Sequence, residues 1–168
     1  ALSQVDSTTL AGVGGAALQA VRSQIDLIKE AQISARVLAS VLSNVRSPGP
    51  DCVDRVTALA RGIPQAVLVA YSPLSGLMTC SSNGRVFDFK DEPRFRTLIE
   101  KPLPRVVYNP HGPVSGTAVI GISHPVFDRT GIQAGIVAIS LSYTAVAPGN
   151  YSDSLALWRP AYLATVLS

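Results

Sequence analysis

A chain of 168 residues with 47% hydrophobic and 15% charged side chains reads as a folded domain, and this composition excludes a disordered tail. That length buries roughly two-thirds of the unfolded surface, so one core needs neither a metal nor a dense disulfide framework. The net charge of +3 rests on 11 arginines scattered from Arg22 to Arg159 among 11 carboxylates, and without a basic face the pattern argues against nucleic acid as a partner.

No run of about 18 apolar residues is present to span a bilayer. The uncharged stretch Ser7 to Ala20 is too short and too rich in glycine for a signal peptide, and no basic segment precedes it. The chain opens on Ala1, and the expectation is a piece of a longer protein whose other parts include membrane spans.

From Leu10 to Val45 the apolar residues recur at helical spacing: Val21, Ile25, Ile28, Ala31, Ala35, Leu38, Leu42 and Val45. The near-heptad line suits either one long core helix or a stalk that pairs with a second copy, and both readings stand. SPGP (47–50) stops it, because proline removes a donor and disfavours helix in the preceding residue. Asp51 is expected to cap a second helix running to Arg61, closed by Gly62 and Pro64.

Beyond Pro64 the period changes to two. AVLVAY (66–71) and GLMTCS (76–81) read as the strands of a hairpin around SPLS. DEPRFRTLIE (91–100) reads as a short helix with Asp91 as cap and Pro93 in its first turn. RVVY (105–108) is a short strand. TAVIGISHPVF (117–127) and IQAGIVAISL (132–141) form a second hairpin around DRTG. The fold class is α+β, with a five-stranded antiparallel sheet covered on one face by helices. The organisation is a stalk or dimerisation helix at 1–46, a core at 50–145 and a C-terminal segment at 146–168. That last segment is read as a helix followed by a strand from Tyr162 to Ser168.

Catalysis finds little support. A serine hydrolase relay needs a nucleophile on a strained turn beside a base and an orienting acid, and no GxSxG is present. His111 lies in a Pro-His-Gly-Pro loop, and His124 stands between a strand serine and a proline. Two histidines and two distant cysteines do not make a zinc site. AGVGGAA (11–17) has no preceding strand and no following Lys-Ser/Thr, so it is not a phosphate loop. No catalytic residue, metal or cofactor is assigned. Cys52 and Cys80 fit two buried thiols or one bridge equally well by spacing.

The order of these pieces resembles the extracytoplasmic PAS-like sensor domains of bacterial membrane receptors, the Cache or PDC domains. The resemblance rests on the long first helix, DCVDRVTAL with its cysteine in the first turn, and a strand ending in CSSNG. DEPRF and HPVFDRTGIQAGIVAISLS complete it, the last being the most specific. It implies a Cys52–Cys80 disulfide, a periplasmic location on a membrane-anchored parent, and a homodimer formed through the first helix. The CSS triplet also resembles the periplasmic domain of some cyclic-di-GMP phosphodiesterases, in which such cysteines are redox-controlled.

The resemblance further implies a small-molecule pocket on the sheet, roofed by the segment after the first hairpin, with Tyr71, Arg94, Phe95, Arg96, Tyr108, Ser123, His124 and Ser140 as candidates. Two positions depart from the family. Glu92 stands where many members have arginine, and Ser140 stands where the amino-acid binders have aspartate. A serine does not balance a buried ammonium, so amino acids are disfavoured, and a carboxylate, a neutral metabolite or no ligand at all stays open. For the parent's cytoplasmic output the resemblance suggests a diguanylate cyclase first, then a phosphodiesterase or a histidine kinase.

Overall fold

The computed structural model describes residues 2–43 and 49–146. Helix α1 runs over Leu2–Leu42. Its buried line is Gln24, Ile28, Ala31, Ala35, Leu38, Ala39 and Leu42, a seam of alternating three- and four-residue steps. At its start this line departs from the apolar periodicity. Gln24 takes the place expected for Val21 or Ile25 and is buried with neither amide atom hydrogen-bonded.

Helix α2 spans Pro50–Gly62. Gly49 is its N-cap and Pro50 opens its first turn, so Asp51 sits inside the helix and is not the cap. There its charge complements the positive end of the helix dipole.

Strand β1 (Ala66–Pro73) is followed by two short strands, β2 (Leu77–Met78) and β3 (Cys80–Ser81). The single strand expected over 76–81 is thus divided at Thr79. Its first half pairs with β4 (Phe87–Asp88) and its second half pairs with β1. Helix α3 covers Pro93–Glu100, capped by Glu92 and not by Asp91, with Pro93 in its first turn. Strands β5 (Arg105–Asn109), β6 (Val119–Phe127) and β7 (Gln133–Ser142) follow, then the short helix α4 (Tyr143–Val146). The tail helix and the Tyr162–Ser168 strand expected from sequence lie outside the described residues.

The main sheet is five-stranded and antiparallel, in the order β3-β1-β7-β6-β5, with β2 and β4 as a separate ribbon. The β6–β7 hairpin closes on the Asp128 carboxylate. Its Oδ1 accepts from the Thr130 hydroxyl at 2.6 Å and from the amides of Thr130 and Ile132 at 2.8 and 3.0 Å. Those bonds, the Thr130 hydroxyl foremost, hold the carboxyl below its ordinary pKa. Gly131 completes the turn at φ +83°, a conformation that side chains disfavour.

Both long helices lie on one face of the sheet. α1 packs over β6 and β7, while α2 packs over β1 and β3. Between them and the sheet sit Val69, Ile120, Ile122, Val126, Val137, Ile139 and Leu141, all buried. The bridge Cys52–Cys80 is formed, with an S–S length of 2.06 Å, and joins the first turn of α2 to β3. Among the described residues no helix is long and apolar enough to cross a membrane.

Candidate ligand-binding site

Side chains alternate across a strand, so the register assigns each residue to a face. Helix-side positions on β6 and β7 are large and branched. In the middle of these strands the other parity is small, with Gly121, Ser123, Ala138 and Ser140, and Ala70 beside them on β1, while Val119 and Ile136 stand at its ends. Gly121 stands opposite Ser140 on one side and Val107 on the other, and Ser123 stands between Ala138 and Arg105. Short side chains on adjacent strands leave the middle of this face hollow.

A roof covers the hollow. It is built from the β2–β4 ribbon, α3 and the loop 109–118. Phe87, Phe89 and Phe95 stack along it, with ring centroids 4.6 and 5.5 Å apart, and Phe95 is buried. Met78 and Val114 pack beneath, against Leu68 and Ala70. Between floor and roof runs a cleft of about 620 Å³, within the range of small-molecule sites.

The CSSNGR turn anchors one end of this roof. Cys80 is bridged to α2, the Ser81 hydroxyl donates to the Arg85 carbonyl at 2.7 Å, and the Ser82 hydroxyl accepts from the Val69 amide at 2.9 Å. Arg85 Nη1 then reaches across to donate to the Val114 carbonyl at 2.9 Å. Cys80, Ser81, Ser82 and Arg85 therefore each have a structural task, in the bridge, the turn or the tie to the roof.

Of the residues named from sequence, Arg94, Phe95, Tyr108, Ser123 and Ser140 line the cleft, and Tyr71, Arg96 and His124 do not. Tyr71 is on the helix-side parity of β1. It is buried there, its hydroxyl donates to the Ala134 carbonyl at 3.2 Å, and burial raises its pKa. His124 shares the parity of Ile122, and its Nδ1 lies 2.8 Å from the Pro125 carbonyl. Arg96 is exposed on α3 away from the cleft, as expected when two arginines stand two residues apart on a helix. Tyr108 meets the cleft, yet its register partner is Ile120 and its ring lies against Tyr143 at 4.8 Å. Burial, together with Tyr108, raises the Tyr143 pKa.

The cleft also gathers Ser72, Arg105 and Asn109, none of which the sequence singled out, and His111, which it weighed for catalysis and not for this site. Arg105 is half-buried at the start of β5. Its Nη2 donates to the Lys101 carbonyl at 3.2 Å, while its Nε is shielded from water and has no acceptor among the described residues. Among the described residues the charged groups at the cleft are Arg94 and Arg105 against Glu92.

No protein-family model and no curated protein matches the sequence. Solved structures do. The extracellular domain assigned to the histidine kinase rpHK1S-Z16 superposes with a TM-score of 0.69 at 20% identity, over 84% of this chain and 60% of that one. An extracellular ligand-binding receptor from Desulfohalobium retbaense gives 0.68 at 19% identity, over 77% of this chain and 25% of that one. The ligand-binding domain of the Pseudomonas aeruginosa PAO1 amino-acid chemoreceptor PctC, solved with GABA, gives 0.67 at 14% identity, over 83% and 66%. This chain spans less than two-thirds of the length of each of the three. With a long helix, a second helix and this five-stranded sheet, the chain has the PAS-like Cache or PDC fold found in extracellular sensor domains of histidine kinases and chemoreceptors.

Proposed function

We propose that this chain is the extracytoplasmic sensing module of a membrane-anchored signal transducer, and that it binds a small carboxylate or neutral metabolite in the cleft. The observation that carries the reading is the cleft itself: a hollow of small residues under an aromatic roof, directly behind the strands that hold α1. A ligand that draws roof and floor together acts on β6 and β7, and α1 rides on their opposite face. It shifts the signal only by its difference in affinity between two such arrangements. A non-catalytic role agrees with the ligand-binding neighbours. Their extracellular placement supports a location outside the cytoplasm, as does the disulfide.

α1 supplies a second surface. Ile33, Val37 and Val41 are exposed at four-residue intervals, away from the seam that meets the sheet. This stripe suits a twin helix, and the module is proposed to act as a homodimer through it. Val37→Glu is expected to shift the dimer to monomer in sedimentation at unchanged helicity. A species of unchanged mass would reject the helix as the interface. Among outputs, the solved neighbours support a histidine kinase or chemoreceptor and lend no support to a diguanylate cyclase or phosphodiesterase. A redox signal is the second reading, resting on the CSS motif. It is weakened by the burial of both bridged cysteines, at 0% and 1% exposure.

Gly121→Leu tests the cleft. A Cβ at Gly121 meets only the Val107 carbonyl, at 3.6 Å, so the added side chain enters the hollow without displacing backbone. Replacing a strand glycine also tends to stabilise the sheet. In a thermal-shift screen of metabolites the parent chain is expected to respond to at least one compound. Gly121→Leu is expected to melt no lower and to lose that response. A retained response would place the ligand elsewhere.

A further inference from the structure

We infer that the ligand is a small organic acid bound as its anion, with the Arg105 guanidinium as its anchor and nothing in the floor to receive an amine. The inference rests on the sensing function proposed above and narrows it. Arg105 is held at one corner, by its bond to the Lys101 carbonyl, and its shielded Nε lacks an acceptor among the described residues. A buried donor left in this state costs free energy that an incoming acceptor returns. The residue directly opposite in register is Ser123, so the guanidinium stands beside the hollow. Turning its plane toward the floor presents two N–H groups as a fork, which a carboxylate matches with two parallel bonds.

The rest of the cleft agrees in sign. Arg94 on α3 adds a second guanidinium from the roof, and Ser123 and Ser140 offer neutral hydroxyls. The acid described at the cleft, Glu92, caps α3 two residues from Arg94 and belongs to the roof. An ammonium resting on the floor meets Ser140, and a cation desolvated there without a carboxylate is strongly disfavoured. The local field favours anions over zwitterions.

The test uses the purified chain with acetate, lactate and succinate as acids, GABA and L-isoleucine as amine-bearing comparators, and glycerol as a neutral probe, followed by calorimetric titration and thermal shift. At least one acid is expected to bind, and the comparators and glycerol are not. Arg105→Gln is expected to weaken the acid by about 10- to 100-fold, the loss of a charge-assisted pair, with the ligand-free melting temperature little changed. Arg105→Lys, which keeps the charge and loses the fork, falls between. Equal binding of GABA or isoleucine overturns the inference, and so does unchanged affinity in Arg105→Gln. If Arg105→Gln does not fold, unchanged affinity in Arg105→Lys overturns the anchor. A response to glycerol or an amine that Gly121→Leu abolishes removes the anion reading and leaves the sensing function. No response to any small molecule in a broad screen removes both.

Discussion

Replacing Cys52 and Cys80 together by serine is expected to lower the unfolding free energy by about 3–4 kcal/mol, the chain entropy released when a loop of roughly 30 residues is no longer closed. For a chain of this size that corresponds to a fall in melting temperature of roughly 6–16 °C. The loop contains α2 from Cys52 onward, all of β1 and all of β2, and ends at the β3 corner, so its loss frees the helix from the edge of the sheet. Both residues are buried among apolar neighbours, and the serine hydroxyls find a poor environment there. Burial also makes a kinetic statement. Glutathione should leave the bridge intact in the folded chain and cut it once denaturant is added, as read by thiol labelling and mass spectrometry. Fast reduction of the native chain would restore the redox reading. A double variant that melts with the parent would show that the bridge contributes little.

Gly135→Ala is expected to cost about 2–3 kcal/mol, the upper part of the range for an overfilled core. A Cβ built at this glycine falls 2.5 Å from the Ser72 carbonyl oxygen and 2.7 Å from the Cε2 and hydroxyl of Tyr71. The carbonyl belongs to β1 and is held in its ladder with β7, so it cannot withdraw without breaking the pairing. The Tyr71 ring is fixed by its bond to the Ala134 carbonyl and by burial. A denaturant midpoint equal to the parent's would mean that the strand yields there at little cost. A double-mutant cycle with Tyr71→Phe separates the hydroxyl's share of the clash from that of the ring and the backbone.

How far the fold could be read from sequence depended on how cleanly one face was buried. In GISHPVF and GIVAISL large and small residues alternate, and the hairpin bounds fall within two residues of those observed. β1 gave no such help, because residues 68–72 are all buried, by helices on one side and the roof on the other. With alternation erased, Tyr71 looked as fit for the cleft as Ser72, and it lies on the far face. Thr79 carried no mark of a strand changing partners. Glycine and glutamate at the caps were passed over because an aspartate, the stronger capping signal, stands two residues after Gly49 and next to Glu92.

Of the eight positions the resemblance supplied for the candidate site, Arg94, Phe95, Tyr108, Ser123 and Ser140 line the cleft and Tyr71, Arg96 and His124 do not, and residues that only the register brings there were missed. Arg105 is one of many scattered arginines in the sequence, and only pairing with β6 puts it opposite Ser123. The small residues Gly121, Ser123, Ala138 and Ser140 were the available clue to the hollow. Their shared parity on two paired strands means missing volume on one side of a sheet, and Ser123 and Ser140 alone were singled out.

The separation of small and large residues onto opposite sides of β6 and β7 has an evolutionary consequence. The small residues of the proposed site contribute little to holding the domain together, because the helix-side residues supply most of the buried apolar contact. Selection can therefore rewrite taste without endangering folding, and a laboratory can do the same. Libraries confined to residues 121, 123, 138 and 140 should yield well-folded variants with new preferences, whereas equal diversity at 120, 122, 137 and 139 should yield mostly insoluble chains.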